Sequence, residues 1–66
     1  MTNLKSIREQ KGITQAQLAS MIGVTQGAVS AWETGRWEPS LYTIRKISNA
    51  LKCTTDELIG GADDES

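Results

Sequence analysis

Residues 14–35 read TQAQLASMIGVTQGAVSAWETG, and two helix starts and two helix stops are written into them. Thr14 stands three residues before Gln17, the spacing of a capping box, and Leu18, Ala19 and Ile22 follow on one face before Gly23 ends the segment. Thr25 is placed to cap a further helix that stops at Gly35. With only Val24 and Thr25 between Gly23 and that helix, the two helices must meet at a steep angle, the geometry of a helix-turn-helix. Ala19 and Gly23, four apart, leave the room such a crossing needs. Leu18, Ile22, Val24, Val29 and Trp32 are expected to supply the shared core. Gly27 stands out, because glycine costs a helix about 0.5–1 kcal/mol relative to alanine.

The same punctuation extends outward. Asn3 is expected to cap a first helix with Leu4 and Ile7 on one face and Gly12 just past its end. Pro39 and Ser40 introduce a fourth helix whose apolar stripe is Leu41, Ile44, Ile47 and Leu51. Thr54 and Glu57 repeat the capping-box spacing and open a fifth, with Leu58 and Ile59 as its apolar face. No segment calls for a strand. The expectation is an all-α, compact five-helix domain over residues 1–60, with the helix-turn-helix formed by helices two and three. Residues 61–66, acidic and polar, form an expected disordered tail.

A chain of 66 residues holds one small core with a margin of roughly 3–5 kcal/mol. Its single cysteine, Cys53, cannot close a bridge within the chain, and without histidine there is no zinc constellation. Cys53 is expected to be a small buried hydrophobe. No metal or cofactor is expected, and no enzyme, since histidine, an activated cysteine and a phosphate-cradling glycine loop are all missing. No apolar run approaches a membrane span and the first residues lack a secretory core, so a cytoplasmic protein is expected. The net charge of −1 hides an asymmetry. Residues 1–52 carry seven basic and three acidic side chains, net +4, and the remainder carries five acidic ones. Such a basic body suits a polyanion despite the acidic pI of about 5.2.

Arg8 shares a face with Leu4 and Ile7, so its stem should be packed and its guanidinium should need a partner. Glu33, near a helix C-terminus where the dipole disfavours it, is the plausible one; two solvated surface charges are the alternative. Trp32 is in register with the core. Trp37, in the turn after Gly35, is expected to cover the domain's own core, with packing on deoxyribose or a subunit contact as the other readings.

The run QAQLASMIGVTQGAVSAWETG resembles the helix-turn-helix of the Cro and phage-repressor family, a lambda-repressor-like resemblance that extends over about residues 3–60. The resemblance implies a sequence-specific regulator of transcription, a repressor, bacterial or phage-encoded, on double-stranded DNA. It implies that the helix over about residues 26–34 enters the major groove and presents Gln26, Gly27, Ser30 and Ala31 to base edges. Thr14, Gln15, Thr25 and Arg36 then contact phosphates. Lys11 and Lys46 add at most to the field. It also implies the Arg8–Glu33 pairing between helices one and three. In related repressors the position of Gly27 commonly bears a base-contacting side chain, so fewer base contacts are expected here. A palindromic operator and a homodimer formed on DNA follow from the mechanism, with Trp37, Leu58 and Ile59 as candidate interface residues, unless Leu58 and Ile59 only cap the monomer core. The alternative function is an antitoxin-like protein-interaction module that also binds its own promoter.

Overall fold

Short helices in water need caps and tertiary contacts to persist. The computed structural model, which describes residues 2–59, shows both. Its elements are α1 (Leu4–Gln10), α2 (Gln15–Ile22), α3 (Gln26–Thr34), α4 (Leu41–Leu51) and α5 (Thr55–Ile59), with no strand among the described residues. The tail at 61–66 lies outside the described residues.

Thr14 and Gln17 form a complete capping box: the Gln17 amide donates to the Thr14 hydroxyl at 3.0 Å, and the Thr14 amide donates to the Gln17 side chain at 2.8 Å. Thr25 and Ser40 accept from the amides of Ala28 and Thr43, both at 3.1 Å, and start α3 and α4. Thr54 and Glu57 complete a second capping box at α5. Gly23 and Gly35 end α2 and α3 at φ of 75° and 81°, left-handed values that a side chain strains to reach. Lys52 ends α4 in the same region at φ 54° without being glycine. Nothing in its sequence neighbourhood announces this.

The core gathers Leu4, Leu18, Ala19, Ile22, Val29, Ile47, Leu51 and Leu58, drawn from every helix. Ile7, Ile13, Val24, Trp32, Ile44, Ala50 and Cys53 pack around it, half-buried. Trp32 is therefore a flank of the core rather than its centre. Burial pushes the Cys53 thiol up, with a smaller contribution from Glu57, which keeps it protonated and inert at neutral pH.

Three expectations need correction. Asn3 precedes α1 but its side chain makes no cap; it donates instead to the Glu57 carbonyl at 3.1 Å, and its backbone amide donates to the Leu58 carbonyl at 2.8 Å. The start of α1 thus serves the end of α5. The apolar stripe of α4 begins at Ile44, because the first turn of the helix overruns the core and leaves Leu41 61% exposed beside Tyr42 at 72%. In α5 the pair Leu58 and Ile59 splits: Leu58 is fully buried and Ile59 is 46% exposed, since adjacent residues on a helix face different ways. Leu58 is core and is unavailable to a second subunit.

Candidate nucleic-acid interface

The α2–turn–α3 unit meets through Ala19, whose carbonyl accepts from the amides of both Gly23 and Val24. The two helices each start at a threonine cap. Thr14 and Thr25 are exposed, and each hydroxyl accepts a backbone amide. A hydroxyl that accepts in this way still has its own hydrogen to donate, which suits an anion at a helix start.

Behind these caps runs a chain of polar side chains. Arg8 donates from Nε to Glu33 Oε2 at 2.6 Å, from Nη2 to Oε1 at 3.2 Å, and from Nη1 to the Ile13 carbonyl at 2.7 Å. The two side chains are 9% and 3% exposed, so this is a packed, bidentate pair joining α1 to α3. Burial alone would push the Glu33 carboxyl up, but hydrogen bonds from Arg8 and Gln15 and the charges of Arg8 and Lys5 more than offset it and hold it below its ordinary value. The Glu33 hydrogen bond raises Arg8 in turn against the opposing effect of burial.

Gln15, half-buried, donates from Nε2 to Glu33 Oε1 at 2.9 Å, and its Oε1 faces Gln26 Nε2 at 3.5 Å, long for a hydrogen bond. Sequence reasoning placed Gln15 outward on a phosphate and missed this inward link. Eleven residues separate it from Gln26, and no local spacing rule connects the two. The exposed Gln26 amide keeps its carbonyl and a second N–H free of the Gln15 contact, the donor–acceptor pair that matches adenine N7 and N6.

On the outward face of α3, Gln26 and Gly27 are exposed and Ser30 is half-buried. Ala31 does not belong with them. It is 4% exposed, and its backbone is tied to the turn after Gly35, where the amides of Arg36 and Trp37 donate to the Ala31 carbonyl at 2.9 and 3.3 Å. A side chain so enclosed has no methyl to offer a base, so Ala31 is withdrawn from base readout. The same turn presents Arg36 to solvent just beyond α3. Trp37 is 60% exposed rather than folded onto the core, and its amide is held at the Ala31 carbonyl at the end of α3. Leu41 and Tyr42 are exposed as well, and the Lys46 ammonium lies 5.5 Å from the centre of the Tyr42 ring.

Two capped helices joined by a tight turn, with a buried ion pair bracing the outer one, define a helix-turn-helix protein. A family model described as helix-turn-helix matches residues 4–58, and the chain belongs to that family. It is 41% identical over 63 residues to an uncharacterized HTH-type transcriptional regulator, YqaE, of Bacillus subtilis, covering 96% of this chain and 54% of that protein. It is 36% identical over 58 residues to repressor protein C2 of Salmonella phage P22, covering 88% of this chain and 27% of the repressor. The chain therefore spans about half, or less, of the length of these relatives. A crystal structure of the P22 c2 repressor protein in complex with synthetic operator 9T superposes with a TM-score of 0.80 at 36% identity, over 89% of each chain. Among the described residues no helix is long and apolar enough to cross a membrane.

Proposed function

We propose that this chain is a sequence-specific double-stranded DNA-binding transcriptional repressor that reads the major groove with α3. The observation that carries this is Gln26: an exposed amide at the first residue of α3, backed by Gln15, which is itself anchored on the buried Arg8–Glu33 pair. A reading side chain held from behind spends less freedom when it binds. The P22 repressor's complex with an operator supports the same use of the fold.

In this reading Gln26 pairs with adenine, Ser30 offers its hydroxyl to a base edge, and Thr14, Thr25, Gln15 and Arg36 hold phosphates. Gln15 keeps one amide hydrogen for a phosphate while the other serves Glu33. Two copies bind the two halves of a palindromic operator, their centres about one helical turn or 10–10.5 bp apart. Trp37 and Ile59, both exposed, are the candidates for contact with the second copy once both are on DNA. The protein works in the bacterial cytoplasm, on a host or phage operator.

Selection of bound duplexes from a random pool tests the proposal. A palindromic consensus is the expected result, and Gln26→Ala should then lose about 1–3 kcal/mol on that site with little change on random duplexes. Equal losses on both would reduce Gln26 to a backbone contact. A chain that enriches no sequence but captures a co-expressed protein would favour the antitoxin-like alternative.

A further inference from the structure

The four glycines of the described helical body are not alike. Gly12, Gly23 and Gly35 have φ between 71° and 81°, where a side chain is strained. Gly27 does not: it is the second residue of α3, exposed, with ordinary right-handed backbone. A Cβ placed there meets only the Thr25 hydroxyl oxygen, at 3.9 Å, an ordinary contact distance. Neither conformation nor packing within the molecule asks for glycine, and glycine gives up more freedom on folding than alanine would.

The residues beside Gly27 indicate what does ask for it. On the outward face of α3, Ser30 is short and half-buried and Ala31 is covered, so Gln26 is the one long side chain in the first turns. A helix that reads with a serine must lie close against the base edges; Gln26 at the first position is itself proposed to contact a base, whereas a side chain at position 27 with no base partner would hold the helix off.

We infer that Gly27 is a specificity-determining residue by exclusion: the DNA fills the space its side chain would occupy, and the bare backbone lets α3 seat deeply enough for Ser30 to reach a base. The inference rests on the DNA-reading role proposed above.

Its test uses the full chain and the duplex recovered by selection with that chain, beside a scrambled duplex of equal length. Gly27→Ala should raise the melting midpoint by roughly 2–8 °C, the reverse of a folding defect. Its affinity for the selected duplex should fall at least roughly tenfold, and that of Gly27→Val further, while binding to the scrambled duplex stays near the parent's, because a loosely held duplex is not read at its base edges. Unchanged or tighter binding of Gly27→Ala to the selected duplex overturns the inference and leaves the DNA-reading role standing. A lowered melting midpoint also overturns it, by showing that the fold itself needs glycine. Failure of the parent to select any sequence removes the DNA-reading role, and with it the inference.

Discussion

Glu33 illustrates what one residue can hold. Its carboxyl receives two hydrogen bonds from Arg8 and one from Gln15 while almost wholly enclosed, so removing it strands a buried guanidinium. Glu33→Ala should cost roughly 3 kcal/mol or more, a large part of the margin of a domain this small, and leave a chain that melts near or below room temperature. Circular dichroism melts of both single variants and the Arg8→Ala/Glu33→Ala double variant would check this; additive losses would mean the two do not act as a pair. The pH dependence has a definite sign. Because the folded carboxyl lies below its ordinary value of 4.5, its contribution is complete above that value and drains away as the pH falls through the lowered one. The parent's melting midpoint should fall as the pH drops below 4.5, less steeply in Glu33→Gln; Glu57, which hydrogen bonds from the Thr54 backbone and hydroxyl also hold low, contributes to the slope that remains. The packing of Arg8 was legible in its spacing from Leu4. The burial of Ala31 was not, since it depends on how the rest of the fold packs around α3.

Elements here are short enough that their ends decide whether they form. The Thr14 capping box satisfies two groups at the start of an eight-residue helix, and Thr14→Ala should lower stability by about 1 kcal/mol, read from a urea midpoint with unchanged slope. A loss within a few tenths would place the stability of α2 in its core contacts instead. All five helices and most of their limits were legible from such caps and glycines. Two kinds of detail were not. Lys52 takes the left-handed end of α4 without a glycine to signal it, and Leu41 fits the helical stripe yet lies beyond the edge of the core it was expected to join. Periodicity reports the direction a side chain points around its helix. It carries no information on how far along the axis the partner helices extend.

Across the whole molecule, charge and shape act together. The net charge of −1 comes from a basic body of +4 set against acidic residues after position 52. DNA binding, as proposed, should therefore weaken steeply with salt, and Arg36→Ala should lower the slope of log affinity against log salt by about 1, as one phosphate contact is lost. An unchanged slope would remove Arg36 from the phosphate set. The α2–turn–α3 unit that carries the proposed site was legible because a few residues in a row build it. Its inner brace was not, because Arg8, Gln15, Gln26 and Glu33 converge from three helices. Convergence of another kind occurs at Asn3, which bonds to the carbonyls of Leu58 and Glu57 through its backbone and its side chain. Those two contacts hold the start of α1 against the end of α5. The order of helices along the chain is then separable from their arrangement in space: a circular permutant, joined by a short linker after α5 and opened at Gly12, should still melt in one cooperative transition, with α2 and α3 as adjacent as before.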